Sequence, residues 1–280
     1  MNPSQIDFAG FYREQVRSAN RPERSPDYWD GRASSMNERA FDTPYARQFV
    51  AHMDLAGCST LLDVGCGPGT ISLSVAPRLA HVYGLDHSPR MLAAFSRRAR
   101  SLGVEGATPI LRSWDDDWTD VPVCDIVVAS RSTAVPDLEA ALQQLHAKAR
   151  RRVYVSYPAD GHLVGDDVRR AIGRQVPAWP DYLCVVGILH HMGLHPTLDY
   201  LPGDNRLTQC ASFEQFRVKV ERLLGGVSAE EEPRLAAYFE ANRDRSPERA
   251  LRWALFSWEV AERPQPFPAT SRPTRGTIAE

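Results

Sequence analysis

Several features that would assign this chain to a common class are missing or scarce. Its 280 residues carry 33 Lys and Arg against 35 Asp and Glu, a formal net charge of -2, with no dense basic stretch. This balance attracts neither nucleic acid nor an anionic membrane and favours a small substrate. No apolar run reaches the ~18 residues of a membrane span, and residues 1–5 lack the basic start of an export signal. We therefore expect a cytoplasmic protein.

Cysteine is also scarce, and no two cysteines are spaced as a C-x-x-C pair. The five are Cys58, Cys66, Cys124, Cys184 and Cys210. This scatter predicts neither a zinc site nor a disulfide framework, so we expect reduced thiols and no bound metal. The chain is long enough for one large domain with additions.

The most informative stretch is residues 61–70, LLDVGCGPGT, followed by VYGLD at residues 82–86. A buried strand that turns through glycines into a helix is typical of a nucleotide site. We expect the glycines to clear space for a ligand and the helix N–H groups to face an anion. Asp86, at the end of the next apolar run, is placed to accept hydrogen bonds from a ribose diol.

The glycine spacing selects among nucleotides. A dinucleotide fingerprint is G-x-G-x-x-G, whereas this chain has G-x-G-x-G, with Thr70 where the third glycine of that fingerprint would stand. Asp63 would repel a pyrophosphate but suits a ligand that carries an ammonium group. S-adenosylmethionine carries such a group, so we favour it over NAD.

Residues 61–70 with Asp86 resemble motifs I and II of the class I S-adenosylmethionine-dependent methyltransferases, and the resemblance is strong over residues 59–131. It implies an α/β fold, a Rossmann-like seven-stranded doubly wound sheet with its last strand antiparallel. After the glycine motif, the apolar runs predict strands at 81–85, 108–111, 121–129, 152–157, 195–201 and 251–258. The helical patterns lie at 3–19, 44–55, 71–79, 88 onward, 136–149, 165–173, 181–192, 212–224 and 228–242.

We divide the chain into an N-terminal helical cap, a methyltransferase domain and a tail. The predicted ranges are 1–45 for the cap, 46–262 for the domain, with helical insertions at about 160–194 and 210–245, and 263–280 for a disordered tail. The cap and the insertions are expected to form a lid over the site. The polar face of the helix after Ser88, with Arg97, Arg98 and Arg100, is interpreted as solvated surface. The assembly is expected to be a monomer or a homodimer.

The resemblance also implies which residues bind the cofactor. These are Asp63, Gly65, Cys66, Gly67, Gly69, Asp86, His87, Met91, Ser113, Trp114, Asp115, Ser130 and Tyr28. In the family an acidic residue after the third strand takes the adenine amino group while a neighbour packs on the ring, and Asp115 and Trp114 match that place. A plain surface turn is the alternative there. Tyr28 belongs to an aromatic lead-in with Trp29, Phe41 and Tyr45, although these rings could equally fill a hydrophobic gap.

Methyl transfer from a sulfonium needs mainly alignment, but a phenol, an alcohol or a carbon acid also needs a base. The candidate catalytic residues outside the glycine motif are Arg131, His190, His191 and Tyr182. Tyr157 and His162 are further groups within reach. Histidines in the last turn of a helix also interact favourably with its dipole, which is a sufficient structural reason for His190 and His191. Arg131, at a strand end, is the stronger candidate because its fork can bind a substrate carboxylate.

Two other classes remain open. A methyltransferase acting on exocyclic amines of nucleic acid would be expected to show Asn or Asp, then Pro-Pro and an aromatic residue after the fourth strand, where this chain has Ala129-Ser-Arg-Ser132. A nonmethylating relative, either a cofactor-binding module or an aminopropyl transferase, is the second alternative. Our leading prediction is methyl transfer to a small organic acceptor in an enclosed cavity.

Overall fold

The computed structural model describes residues 5–19, 25–33, 41–159, 166–175, 179–203, 210–243 and 252–260. Seven strands form one sheet. They are β1 Thr60–Val64, β2 His81–Asp86, β3 Ala107–Leu111, β4 Cys124–Ser130, β5 Ala149–Pro158, β6 Thr197–Pro202 and β7 Arg252–Glu259. The predicted tail at 263–280 and His162 lie outside the described residues.

The strand order is β3-β2-β1-β4-β5-β7-β6. Neighbours among β1 to β5 pair in parallel, whereas β7 pairs antiparallel with both β5 and β6. The predicted doubly wound sheet with an antiparallel last strand is therefore confirmed. The order reverses between β1 and β4, and ligands of open α/β sheets bind beyond the carboxyl ends of the strands at such a point.

The helices of the described residues alternate with the strands. They are α1 Phe8–Ala19, α2 Pro26–Ala33, α3 Pro44–Ala51, α4 Ser72–Val75, α5 Pro89–Ser101, α6 Leu138–Lys148, α7 Asp166–Ile172, α8 Tyr182–His191, α9 Phe213–Leu224 and α10 Glu232–Asn242. Two boundaries differ from the prediction because of proline. The helix expected over 71–79 ends at Val75 and continues as a 3₁₀ turn around Pro77. The strand expected from Val121 begins only at Cys124, after Pro122, which has no N–H for a ladder.

Side chains alternate between the two faces of the sheet. Along β4, Val127 and Ala129 belong to the core cluster under α1, α6 and α8, whereas Ile126 and Val128 belong to the cluster under α3, α4 and α5. Both faces of the central strands are thus buried, which explains their continuous apolar sequences. The site can only lie at the ends of these strands.

A smaller core lies between α7, α9 and α10, and we call it the three-helix cluster. Its buried residues are Val168, Ile172, Phe216, Val220, Leu235 and Phe239. Arg174 fixes its corner through a fork to Glu231, with Nε–Oε1 at 2.6 Å and Nη2–Oε2 at 2.7 Å. Parts of both predicted insertions therefore pack together. By contrast, α8 from the first insertion joins the main core through Val185, Ile188 and Leu189, so it is part of the domain body and not of a lid.

None of the described helices combines the length and apolar character needed to cross a membrane.

Candidate active site

The loop after β1 is a tight turn in which Gly65, Gly67 and Gly69 have φ values of 66°, 53° and 76°. The amides of Gly65 and Cys66 both donate to the carbonyl of Leu85, at 2.8 and 3.0 Å. These bonds tie the turn to the end of β2. The left-handed backbone explains why glycine occupies each of the three positions.

The space that a side chain would occupy differs among the three glycines. A Cβ at Gly65 would lie 2.3 Å from the Cβ of Ser132, and one at Gly69 would lie 2.7 Å from Leu73, so protein atoms fill both places. At Gly67 the nearest atom would be the Met91 sulfur at 3.9 Å. Our expectation that all three glycines clear the way for a ligand is therefore corrected, because of the three only Gly67 faces open space.

Arg98 holds the same turn from α5. Its guanidinium donates to the Gly69 carbonyl at 2.5 Å and lies 3.9 Å above the Phe41 ring. Burial lowers the pKa of this guanidinium. The interpretation of Arg98 as solvated surface was wrong, because the side chain reaches inward from the polar face of the helix.

Asp86 ends β2 and is held on both of its oxygens. Oδ2 accepts from the Gly67 amide at 2.8 Å and Oδ1 from the Ser88 amide at 2.9 Å. Only 7% of the residue is exposed, and burial raises its pKa. Each carboxylate oxygen retains a further lone pair, so the group is oriented for the predicted ribose contact. His87, the next residue, is partly exposed in the same loop.

Asp63 is directed elsewhere. It is 2% exposed, and its Oδ2 accepts from the Ser72 hydroxyl at 2.7 Å. Burial raises the pKa of Asp63 to about 6. The carboxylate therefore joins β1 to α4, and a direct contact with a ligand ammonium does not fit this placement. The expected anion seat does not fit either, because α4 has four residues and the Ser72 amide already points to Asp63 at 3.4 Å.

Helix α2, in the predicted N-terminal cap, contacts the loop that carries Asp86. Its Asp30 accepts from the Ser88 hydroxyl at 2.5 Å and from the Arg90 amide at 3.1 Å. On the same helix Tyr28 lies edge-on to Trp29, with ring centroids 5.2 Å apart, and remains 37% exposed. The part of the predicted aromatic lead-in on α2 thus lies beside the loop that carries Asp86, and the contact of Tyr28 with the cofactor stays a prediction.

The loop after β3 adjoins the same strand end, since the Arg112 amide donates to the Asp86 carbonyl at 3.2 Å. Trp114 stacks on Trp118 with centroids 5.5 Å apart and planes 28° apart. The Trp118 indole donates to the Ser113 carbonyl at 2.8 Å, and this ring is buried in the main core. Trp118 is therefore structural. Trp114 and the exposed Asp115 stay candidates for the adenine pocket.

The end of β4 lies against the glycine turn, because the Ser132 hydroxyl donates to the Val64 carbonyl at 2.6 Å. Arg131 has a φ of 59°, the one positive φ outside glycine among the described residues. Its guanidinium lies 4.3 Å from the centre of the Tyr45 ring, and its amide donates to the Ser156 hydroxyl at 2.9 Å. The end of β4 that carries Arg131 thus lies beside the glycine turn, and the role of Arg131 in binding a substrate stays a prediction.

Two buried polar groups at this strand end were not predicted. The Tyr45 hydroxyl lies 2.8 Å from the Ser130 Oγ and 2.6 Å from the Ser156 Oγ. We had interpreted Tyr45 only as an aromatic cover. A serine inside the otherwise apolar run Val153-Tyr-Val-Ser-Tyr157 was the available sequence signal, because a buried hydroxyl requires a partner.

His190 and His191 do not reach this place. The beginning of α8 adjoins the carboxyl end of β5, where the Tyr157 hydroxyl donates to the Pro180 carbonyl at 3.1 Å. Strand β6 runs parallel to β5, since both pair antiparallel with β7, so Thr197 starts it at the amino edge. The chain between these points carries both histidines away from the glycine turn. Direct catalytic roles for His190 and His191 are therefore corrected.

Tyr182 is also remote. Its hydroxyl is 2.8 Å from that of Tyr200 in the edge strand β6. Two strands, β7 and β5, separate β6 from β4, which corresponds to ~14 Å at the usual strand spacing. This arrangement does not support Tyr182 as the base. Tyr157 is likewise buried and bonded to Pro180.

Comparisons with known proteins agree with this geometry. Residues 61–151 match the family model described as a methyltransferase domain. An uncharacterised protein of Haemophilus influenzae is 33% identical over 260 residues, which cover 91% of this chain and 97% of that protein. Trans-aconitate 2-methyltransferase of Mycobacterium tuberculosis is 34% identical over 218 residues, covering 63% of this chain and 80% of that enzyme.

Among solved structures, an S-adenosylmethionine-dependent methyltransferase from Geobacter sulfurreducens, in complex with S-adenosylhomocysteine, aligns with a TM-score of 0.53. The identity is 14%, and the alignment covers 88% of this chain and 96% of that one. This similarity concerns the fold. Because the sequence also covers most of a 34% identical methyltransferase, this chain belongs to the class I S-adenosylmethionine-dependent methyltransferases and is an enzyme that uses that cofactor.

Proposed function

We propose that the enzyme methylates a small organic acid whose carboxylate is held by Arg131. The observation that carries this proposal is the placement of Arg131 at the end of β4, with a φ of 59° and its guanidinium over Tyr45. A left-handed backbone costs a non-glycine residue roughly 1–2 kcal/mol. Such strain persists where the surrounding structure enforces it, often at a ligand site. A guanidinium fork is the side chain best suited to a carboxylate.

The residues at the glycine turn fit the cofactor. Gly67 leaves open space beside the turn, and Asp86 is oriented by two backbone amides. When bound, S-adenosylmethionine supplies an electrophilic methyl group on a sulfonium. The role of Gly67 and Asp86 is to hold the nucleoside, and that of Arg131 is to orient the acceptor for in-line attack. Alignment of this kind supplies much of the rate enhancement in such displacements.

An acid acceptor also explains the groups found at the strand end. A carboxylate is already ionised near neutral pH, so its oxygen attacks without a general base. The end of β4 presents the hydroxyl of Ser130 and the guanidinium of Arg131, and neither accepts a proton near neutral pH. With His190, His191 and Tyr182 placed elsewhere, an acceptor that needs no base is favoured over a phenol or an alcohol.

The relatives support the same class of acceptor. The Mycobacterium tuberculosis protein is named as acting on trans-aconitate, which is a tricarboxylic acid. Its match covers most of that enzyme's length, so a shared preference for carboxylates is a reasonable inference for this chain. The near-neutral net charge of -2 agrees with a small acceptor and gives no general attraction for a polynucleotide.

The test is turnover with methyl-labelled S-adenosylmethionine and a panel of acceptors. The panel contains trans-aconitate, shorter dicarboxylic acids, the corresponding neutral amides, a catechol and a primary amine. We expect labelled product from one or more acids and none from the amides. Methylation confined to the catechol or the amine would overturn the acid proposal.

The nonmethylating alternative has its own readout. If calorimetry shows S-adenosylhomocysteine binding but no acceptor in the panel is methylated, the acid proposal fails and the nonmethylating alternative is favoured. A dependence of activity on added RNA or DNA that falls steeply with salt would instead point to a polymeric acceptor.

A further inference from the structure

We infer that the Ser130 hydroxyl is a dedicated hydrogen-bond donor for a ligand carboxylate, and that a buried chain of hydroxyls through Tyr45 and Ser156 fixes its direction. This inference rests on the proposed site at the end of β4. The carboxylate belongs either to the acceptor acid or to the amino-acid part of the cofactor, and the experiment below separates the two. Tyr45 is then a positioning residue, because it acts through Ser130.

The chain of hydroxyls is continuous. The Arg131 amide donates to the Ser156 Oγ at 2.9 Å, and the Ser156 Oγ lies 2.6 Å from the Tyr45 hydroxyl. The Tyr45 hydroxyl lies 2.8 Å from the Ser130 Oγ. Tyr45 and Ser156 are fully buried, whereas Ser130 is partly exposed. The chain of hydroxyls therefore begins in the protein interior at Ser156 and ends at the surface of the site at Ser130.

Each hydroxyl has one proton, so the two bonds allow three arrangements. One of them, in which Tyr45 accepts from both serines, leaves the proton of the fully buried Tyr45 without an acceptor among the described residues and is excluded. Two arrangements remain. In the first, Ser156 donates to Tyr45 and Tyr45 donates to Ser130. In the second, both bonds are reversed, and Ser156 accepts from Arg131 and from Tyr45 at once. Among the described residues the Ser156 Oγ has hydrogen bonds with only these two groups. The second arrangement would leave the proton of a fully buried hydroxyl without an acceptor, which is destabilising.

The state of Tyr45 agrees with the first arrangement. Burial raises the pKa of its phenol, although the nearby Arg131 guanidinium acts in the opposite direction. The phenol therefore keeps its proton at neutral pH and remains a donor to Ser130. Because Arg131 lies over the ring of the same tyrosine, one buried side chain supports both polar groups at the end of β4.

The consequence concerns ligand choice. Since Ser130 accepts from Tyr45, its own proton must point to another acceptor, and the exposed side of Ser130 is where a ligand can provide one. A hydroxyl proton beside a guanidinium matches an oxygen anion, and the positive charge of the guanidinium opposes an ammonium group. This pairing favours a carboxylate at the end of β4.

The experiment uses the full-length protein and four variants: Ser130→Ala, Tyr45→Phe, the double variant with both of these substitutions, and the control Tyr154→Phe. Tyr154 is a buried tyrosine of the same core cluster, but its hydroxyl accepts from the Asp54 amide at 2.9 Å, outside this chain of hydroxyls. Calorimetric titrations use S-adenosylhomocysteine, 5′-methylthioadenosine, which lacks the amino-acid part, and trans-aconitate added to the S-adenosylhomocysteine complex.

We expect Ser130→Ala and Tyr45→Phe each to weaken binding of one carboxylate ligand about tenfold, while 5′-methylthioadenosine binds as to the wild type. Weaker S-adenosylhomocysteine binding assigns the donor to the cofactor, and weaker trans-aconitate binding assigns it to the acceptor. The double variant should be no worse than Ser130→Ala alone, because both substitutions remove the same interaction.

Unchanged binding of both carboxylate ligands in Ser130→Ala would overturn the inference. A loss in Ser130→Ala that Tyr45→Phe does not share would overturn the role of the hydroxyl chain. Equal losses for all three ligands, or the same loss in Tyr154→Phe, would show general damage and also contradict it. If trans-aconitate does not bind to the wild type, the proposed acceptor fails, while the S-adenosylhomocysteine titration still decides whether Ser130 is the donor.

Discussion

Asp30 on α2 accepts a 2.5 Å hydrogen bond from the hydroxyl of Ser88, the residue that caps α5 through the Met91 amide. The Ser88 amide in turn donates to Asp86. Helix α2 is therefore bonded to the same serine that orients the predicted ribose-binding carboxylate. Cofactor affinity should depend on this helix even where it does not contact the ligand.

Asp30→Asn should weaken S-adenosylhomocysteine binding about threefold to tenfold, because it removes a charge-assisted bond that fixes the Asp86 loop. Calorimetry measures this, with Asp27→Asn on the same helix as the control. The bond from Ser88 holds the pKa of Asp30 below its ordinary value. The stability that this bond contributes is therefore present above the pKa of Asp30 in the unfolded protein, and it is lost as the pH falls through the pKa of Asp30 in the folded protein. Equal affinities for the two variants would disprove the coupling.

Substitutions at Gly65 and Gly67 should have different consequences. In Gly65→Ala the new Cβ would lie 2.3 Å from Ser132, so we expect the Tm to fall by several degrees. In Gly67→Ala the space is open, so the variant should lose only the cost of a left-handed alanine, roughly 1–2 kcal/mol of unfolding free energy, and its Tm should fall less than that of Gly65→Ala. Cofactor binding should be weakened more in Gly67→Ala than in Gly65→Ala. Thermal melts and S-adenosylhomocysteine titrations check this. The prediction fails if Gly67→Ala is the less stable of the two and binds normally.

Asp63 should make stability fall as the pH rises. Its folded pKa of about 6 exceeds the ordinary aspartate value of 3.8, so the native state binds more protons than the unfolded state between these two pH values. At 1.36 kcal/mol per pKa unit, the free energy of unfolding should be lower by about 3 kcal/mol above pH 6 than at low pH. Urea unfolding of the wild type and of Asp63→Asn between pH 4 and 7 tests this. Parallel pH profiles for the two proteins would contradict it.

Replacement of Arg131 by glycine or by alanine should affect stability differently but weaken acceptor binding to the same extent. Arg131→Gly relieves the backbone strain at φ 59°, so it should be about 1 kcal/mol more stable than Arg131→Ala. Both variants should raise the acceptor KM at least tenfold and leave S-adenosylhomocysteine binding near that of the wild type. Denaturant unfolding and steady-state kinetics measure the two effects. An unchanged acceptor KM would remove Arg131 from the acceptor site.

Trp114 should report cofactor binding. If its ring packs on adenine, S-adenosylhomocysteine should quench the fluorescence of the wild type, and Trp114→Phe should abolish most of the change. Trp118→Phe is the matched control; it should lower the Tm, since it loses the 2.8 Å bond to the Ser113 carbonyl, but retain the quenching. Quenching that survives in Trp114→Phe would place the adenine elsewhere.

Local patterns explain what the sequence predicted well. The alternate glycines of residues 65–69 require a turn, and the apolar run to Asp86 requires a buried strand, so the cofactor loop was predictable without knowledge of distant contacts. Ser88 was likewise predictable as a cap, since a serine before Pro89 is a local helix signal.

The errors concern properties set by distant parts of the chain. His190 and His191 looked suitable by residue type, but the direction of α8 depends on how β6 pairs with β7. Arg98 lies on a polar helix face, yet the Gly69 carbonyl attracts its side chain inward. The role of Tyr45 depends on serines in two other elements, 85 and 111 residues further along the chain. No local pattern contains this information.

The position of β7 has a consequence for biosynthesis. The last described strand of the chain lies between β5 and β6, so both of these strands keep an open hydrogen-bonding edge until residues 252–259 leave the ribosome. Unpaired edges of this kind invite pairing with other chains. A nascent chain stalled before Arg252 would thus already contain the glycine turn and five paired strands, while β5 kept an unpaired edge and β6 was not yet joined to the sheet. Aggregation during synthesis should therefore be most sensitive to delays in making residues 252–259.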